Sequence, residues 1–399
     1  MVSGQLDPAA LQRARVAVAT LFLTNGAIFA NLVPHYPEIK DDLHLSNAVY
    51  GATVAAFSAG ALVAGVAAGV LIRRYRSARV AVIATVGLAV FVVIAAVARG
   101  AIVLAAALFL AGACDAMADV AQNAHGLRVQ RDYGRSIINS FHAVWAVGAI
   151  FGGLTGAAVI ALDIPRGVHL TVVALVACAL ALTADRFLLG GPEHEDHPAA
   201  RRAVSAGPGR GVWLTLLALV VIGIAGATVE DSGSSWATLY LQDTLHAPPA
   251  IAVFGYIALV GFMFVGRLFG DRLVDRFGER SVVKAGGLLT AAGMGAALAF
   301  PTVAGTIAGF AAAGLGVATL IPAAMHTADQ LPGLRPGTGL TVVTWLMRVG
   351  FLGAPLLVGF IADAAGLRVG LLIVPVAGVL ASLLAGASAR DTNPFHDWR

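Results

Sequence analysis

Charge is what this chain has least of. Asp, Glu, Lys and Arg together make up 12% of its 399 residues, against 58% for the hydrophobic types. Soluble domains carry roughly a quarter charged residues, and a core has room for only part of so large an apolar fraction. A water-soluble globule is therefore excluded. Cysteine is nearly absent as well. Cys114 and Cys178 each fall inside an apolar run and lack metal-ligand spacing, which excludes a disulfide scaffold and a zinc site. No stretch follows G-x-x-x-x-G-K-[ST], which argues against direct use of ATP. No Ser/His/Asp or metal spacing points to an enzyme. The formal charge of +4 resides in short connections between apolar runs and makes no case for nucleic acid. Met1 to Gln12 is short and polar, and the first long run is expected to stay in the membrane rather than act as a cleaved signal peptide.

What the chain has is apolar length. Runs of roughly 20 residues, enough to cross a bilayer, recur at about 13–34, 47–72, 79–98, 101–124, 137–162, 167–189, 212–234, 250–270, 281–300, 303–328, 337–362 and 367–388. In lipid every backbone polar group needs an internal partner, and the runs lack the short alternation of a barrel. The expectation is an all-α membrane protein with twelve transmembrane helices. The 47 glycines suit close helix packing, and the glycine-rich fifth run, with Gly148, Gly152, Gly153 and Gly156, is read that way. Pro355 is expected to kink the eleventh run.

Lys and Arg set the orientation. With the N-terminus in the cytoplasm, 20 of the 26 fall on that side. Lys40, Arg99, Arg166 and Arg368 fall on the other, and Arg267 and Arg348 lie inside runs. Both termini are thus expected in the cytoplasm. The polar stretch 190–211, with His194, His197 and acids between them, reads as a flexible cytoplasmic linker rather than a metal site. It divides the chain into a six-helix bundle over 1–189 and a second over 212–399. The halves echo each other. LIRRYRSARV at Leu71 aligns with LVDRFGERSV at Leu273, and Trp145 and Gly153 recur 200 residues on as Trp345 and Gly353.

Polar residues inside membrane runs mark function by default. The densest set lies between Gly112 and Gly153, two runs joined by an Arg-rich turn. Asp115 and Asp119 are four apart and share a helix face, with Gln122 and Asn123 continuing the polar side. Two like charges in a low dielectric favour a proton on one of them. Asp115 is expected to serve the proton or the solute, and Asp119 either that or a latch to Arg79 or Arg128. Glu230 is favoured over its neighbour Asp231 as a cavity acid, since adjacent helical residues point about 100° apart. Asn25 is a cavity candidate or interhelical glue. His142, Trp145, His326 and Trp345 join the cavity set, the histidines either as pH-sensitive groups or holding backbone carbonyls. Arg348, deep in the eleventh run, requires a partner such as Glu230, Asp329 or Asp115, or an anionic ligand. Arg267, Asp271, Asp275 and Arg276 are expected to form a cytoplasmic gate cluster. Trp236 and Tyr240 are expected as interface anchors.

Several stretches carry a family resemblance. GDRLVDRFGER at Gly270 resembles the cytoplasmic loop signature of the major facilitator superfamily. ADVAQNAHG at Ala118, SFHAVWAVG at Ser140, VEDSGSSWATLYL at Val229 and LPGLRPGTGL at Leu331 resemble its bacterial branch related to fucose permeases. The chain departs from the pattern where Arg73 stands for the usual Asp of the first-half loop and Arg76 for its Gly, and where Ser235 replaces an acid before the Trp. The resemblance implies the major facilitator fold, two pseudo-symmetric six-helix bundles working by alternating access around a midplane site, with helices one, four, seven and ten lining it. It implies a monomer in the bacterial inner membrane that moves a small molecule with no cofactor and with a proton gradient as driving force. Symport of a polar solute such as a sugar is the first expectation, and proton-coupled export of drugs or metabolites the alternative.

Overall fold

The computed structural model describes residues 8–135, 137–190, 209–334 and 337–388. Arg335 and most of the linker, including His194 and His197, lie outside the described residues. Twelve helices are long and apolar enough to cross a membrane. They are α1 (Pro8–Asp42), α2 (Asn47–Tyr75), α3 (Ser77–Ala96), α4 (Ala101–Tyr133), α5 (Ile138–Ala161), α6 (Arg166–Asp185), α7 (Arg210–Thr244), α8 (Pro249–Phe277), α9 (Glu279–Ala299), α10 (Val303–Asp329), α11 (Thr338–Ala365) and α12 (Leu367–Ala387). No strand occurs among the described residues.

Several helices outrun their apolar cores. The Arg-rich segment after residue 124, expected as a turn, is helical to Tyr133, so Arg128 and Arg131 ride on α4. Leu, Arg, Val and Gln there are acceptable helix formers, and propensity continues where hydropathy stops. Gly134 ends the helix at φ +70°, donating its N–H to the Gln130 carbonyl. The Gln130 side chain then accepts the N–H groups of Ile137 and Ile138 at 2.8 and 3.0 Å, so the end of α4 caps the start of α5. Past Leu32, α1 tightens into a 3-10 turn at Val33–His35 and resumes from Tyr36 to Asp42. Pro34 and Pro37 fit because each sits in a first turn, where the missing N–H costs nothing. The last turn of α7, Tyr240–Thr244, is a π-helix. In α11 the helical run breaks at Met347, eight residues before Pro355, and resumes from Arg348 through Pro355 to Ala365.

By compactness the chain forms two units. The first gathers the first six helices with segments 234–261 and 355–370, and the second holds the remainder. Within the first, Trp236 and Tyr240 correct an expectation. Both are fully buried rather than at a lipid interface. The Trp236 ring meets Tyr50 edge-on at 4.9 Å, and Tyr50 meets Tyr36 at 5.8 Å. The Tyr50 hydroxyl donates to the Ser235 carbonyl at 2.7 Å. Edge-to-face ring pairs of this kind contribute about 0.5–1.5 kcal/mol beyond the area they bury. Nearby, Asp363 of α11 receives the N–H groups of Asn47 and Ala48 at 2.8 and 2.9 Å, an acid set on the positive end of α2. Lys40 and Asp243 approach to 3.4 Å.

The half-chain echo has a backbone basis. Between α8 and α9, Gly278 adopts φ +79°. The corresponding turn between α2 and α3 is made by Arg76 at φ +72°. Both have ψ near +148°, where an L residue with a Cβ pays about 1–3 kcal/mol and glycine does not. Arg76→Gly is accordingly expected to raise unfolding free energy by about 1 kcal/mol, read as a higher melting temperature in detergent. A lowered melting temperature would mean that the Arg76 side chain outweighs its strain.

Candidate functional site

The polar centre of the first unit is assembled by helices that touch backbone to backbone. A Cβ on Gly26 of α1 would strike the Trp145 carbonyl of α5, and one on Gly148 of α5 would strike the Leu23 carbonyl of α1. Gly60 of α2 and Gly112 of α4 exclude side chains in the same reciprocal way, against Phe109 and Phe57. Small residues permit such approach in lipid, where van der Waals contact drives association. The first crossing brings Asn25 to Trp145, and the second holds α4 one turn before Asp115.

Two parallel donor chains result, each running from a ring N–H through a carboxamide to a carboxylate. Trp145 Nε1 donates to Asn25 Oδ1 at 2.9 Å, and Asn25 Nδ2 donates to Asp115 Oδ1 at 2.9 Å. Asn123 Nδ2 donates to Asp119 Oδ1 at 2.9 Å. That fixes Asn123 Oδ1 as the acceptor for His142 Nε2 at 3.1 Å, so His142 carries a proton on Nε2. Asn25 is buried while Asp119 and His142 are exposed, so one chain lies in the helix bundle and the other at its surface. Among the described residues Asp115 has no cationic partner. Phe22 meets His142 edge-on at 5.3 Å and stacks on Phe141 at 5.5 Å.

The other expected residues lie elsewhere. Gln122, placed by sequence on the same polar side, is buried and donates to Thr85 of α3 at 3.3 Å. One residue along a helix turns the side chain by about 100°, which carries Gln122 away from Asn123. Buried Arg128 donates to the carbonyls of Leu189, at 3.5 Å, and Gly190. His125 secures the same corner. Leu189 N–H donates to its Nε2 at 3.1 Å, which leaves Nδ1 to donate to Ser77 Oγ at 2.9 Å. Sequence reading gave no role to His125, which stands just past the fourth apolar run in the stretch ADVAQNAHG. Arg79 is exposed.

In the second unit the expected cluster of Arg267 with Asp271 and Asp275 is replaced by an ion pair of Arg267 with Glu230 at 3.7 Å. Asp271, Asp275 and Arg276 are exposed, and Arg276 lies over the Phe277 ring at 5.4 Å. Glu230 is thus engaged and does not serve Arg348, which makes no ion pair among the described residues. Arg348 begins the second segment of α11, just past the break at Met347. His326 is 64% exposed and meets Glu279 at 3.2 Å, while Gln330 Nε2 donates to its Nε2 at 2.9 Å. It ties the end of α10 to the start of α9. Trp345 is 53% exposed. The repeat that pairs it with Trp145 puts Ala225 where Asn25 stands, so the second half lacks the amide that receives the indole.

Comparison with known proteins follows from this architecture. The family model described as Major Facilitator Superfamily matches residues 18–273 and 262–398. The chain belongs to the major facilitator superfamily. It is 28% identical over 374 residues to an uncharacterized transporter, y4wD, of Sinorhizobium fredii, covering 92% of this chain and 96% of that one. It is 27% identical to the membrane protein MosC of Rhizobium meliloti, over 91% and 87% of the two chains. Among solved structures, a bacterial homolog of the human lysosomal transporter Spinster superposes with TM-score 0.76 at 15% identity, over 96% and 97% of the chains. The D-xylose-proton symporter superposes at 0.67 with 16% identity, over 95% and 97%. These likenesses establish an all-helical major facilitator fold and a multi-pass membrane transporter, not an enzyme.

Asn25→Ala leaves Trp145 Nε1 and Asp115 Oδ1 each without a partner. A loss of about 1–3 kcal/mol in stability is expected, read by thermal unfolding in detergent. Gln122→Ala should not perturb the indole environment of Trp145, measured by its fluorescence, whereas Asn25→Ala should shift it. An unshifted indole in Asn25→Ala would remove Asn25 from the chain.

Proposed function

We propose that this protein is a proton-coupled secondary transporter that carries a polar small molecule by alternating access. The observation that carries the reading is Asp115. It is a carboxylate in the apolar course of α4, hydrogen-bonded to an uncharged amide and lacking a cation among the described residues. An unpaired ion in a membrane interior costs several kcal/mol, and one amide donor returns only about 1.5–3 kcal/mol. A proton is the group that completes such a site, and gaining and losing it couples solute movement to the gradient. Asp119, one turn on, adds a second negative group on the same face. Asn25, Asn123, His142 and Trp145 offer the solute hydrogen-bonding partners. The structural neighbours include a nucleoside transporter and a D-xylose-proton symporter, which supports a polar cargo. The resemblance to the branch related to fucose permeases agrees with that class.

Arg348 supports a refinement. In the second unit it makes no ion pair among the described residues, and such a guanidinium is suited to an acidic group, so sugar acids and similar compounds join neutral sugars as proposed solutes. The protein acts as a monomer in the bacterial inner membrane with both termini in the cytoplasm, in keeping with the bias of Arg and Lys.

The test is uptake into proteoliposomes under an imposed proton gradient, with neutral sugars, sugar acids and lipophilic cations as solutes. Asp115→Asn should abolish proton-driven accumulation while solute counterflow survives, because the amide mimics the protonated state. Wild-type accumulation in that variant would remove Asp115 from coupling, and a response to lipophilic cations alone would replace the reading with export. Arg348→Ala should weaken apparent affinity for an acidic solute at least about tenfold, the equivalent of 1.4 kcal/mol. Unchanged affinity would dismiss the acidic group.

A further inference from the structure

A second chain of buried titratable groups lies in the first unit, where α1 passes through its 3-10 turn. His35 is 1% exposed and His169 of α6 is 7% exposed. His35 Nε2 and His169 Nδ1 lie 2.9 Å apart, and His169 Nε2 lies 3.0 Å from Asn31 Oδ1. At the other end His35 Nδ1 lies 3.3 Å from Glu38 Oε2. The partners span positions 31 to 169, so no local pattern announces them.

The direction of every hydrogen bond can be worked out from Asn31. Its Nδ2 donates to the Ala27 carbonyl at 2.8 Å, so its Oδ1 accepts. Thr155 of α5 also donates to that oxygen, at 2.6 Å. His169 must therefore carry a proton on Nε2. In a neutral ring its Nδ1 is then a lone pair, and His35 Nε2 has to donate to it. A neutral His35 has no second proton, so its bare Nδ1 would face the oxygen of Glu38, acceptor against acceptor. Glu38 is held as a carboxylate by Arg166, whose Nη1 lies 2.6 Å from Glu38 Oε1 and 2.6 Å from Asp42 Oδ2. The alternative, with His169 doubly protonated and His35 donating from Nδ1, needs the same number of protons. Either way the chain closes only with one proton more than two neutral rings possess.

Burial of both rings opposes a charge there, and the nearby carboxylates supply what can offset it. The pair borders a polar cavity of about 430 Å³ to which Glu38, Asp41, Asp42 and Asp163 contribute. Arg166 is the cation that bonds there, to Glu38 and Asp42. The groups from α5 and α7 that reach the chain or its cavity, Thr155 and Gln242, are uncharged. Glu38 is 48% exposed, so its carboxylate can take a proton from water and pass it to His35 Nδ1, ending as a carboxylate again.

We propose that His35 and His169, with Glu38 as counter-charge, form a proton-binding site separate from Asp115, loaded from water through the carboxylate-lined cavity. The site joins α1, α5 and α6, so binding or losing the proton makes or breaks the contact between the 3-10 turn and the helix that follows it. It goes beyond the Asp115 reading, since a proton can bind here whether or not Asp115 couples transport.

The test is ring 15N NMR of the full chain, labelled at its ten histidines, in lipid nanodiscs at about pH 8, above the ordinary histidine range of about 6.5. The 15N–15N coupling across the His35–His169 hydrogen bond identifies the pair in the wild type, so the outcome does not depend on a variant that folds. Expected are three protonated ring nitrogens on the coupled pair. Two protonated nitrogens, or no coupled pair at all, would overturn the proposal. Glu38→Gln should return the pair to two protonated nitrogens, because the new amide donates to His35 Nδ1. A third proton that persists in this variant would also overturn it, by showing that Glu38 is not the counter-charge. Transport plays no part in the readout, so failure here and failure of Asp115→Asn are distinguishable.

Discussion

Asn25 meets Asp115 and Trp145 because α1 and α5 touch through main chain rather than side chains. The carbonyls of Leu23 and Trp145 occupy the space where a Cβ would stand on Gly148 and Gly26. A methyl group at either glycine would separate the helices by more than a hydrogen bond tolerates, and the indole would lose its acceptor. Chemistry at the site is therefore set by two residues that have no side chain. This ordering is natural in lipid, where burial of apolar area offers no drive between helices and fit decides contact.

That fit produces two donor chains of the same design, each ending on an acid of α4. Within each, an amide with one donating and one accepting end leaves no freedom in direction. A carboxylate so held can exchange a proton without rearranging its neighbours, since the amide N–H serves the ionised and the neutral group alike. The second half repeats the helix pattern and the tryptophan but substitutes Ala225 for the amide. The two halves thus share a sequence pattern and differ in the amide.

Much of this was legible in the sequence, for identifiable reasons. Twelve membrane helices follow from hydropathy, because lipid leaves a chain few alternatives. Asp115 and Asp119 were legible as a pair through their spacing. The faces they met were not. Gln122 and Asn123 are neighbours in sequence, yet one packs on Thr85 and the other serves Asp119. Arg267 was assigned to acids on its own helix and in fact reaches Glu230 of α7. Trp236 was assigned to the lipid boundary on composition, and its burial depends on Tyr50, remote in the chain. Helix ends were misjudged where polar residues continued a helix, as at Arg128. Periodicity reports which residues share a face and is silent on what that face touches.

Asp363 on the first turn of α2 differs from the ion pair of Lys40 with Asp243 in what separation would leave behind. Pulling apart two opposite charges leaves two ions to be hydrated. Pulling a carboxylate from a helix end leaves one ion and two amides that water satisfies at once. The clasp is inexpensive to undo, and salt weakens it by screening.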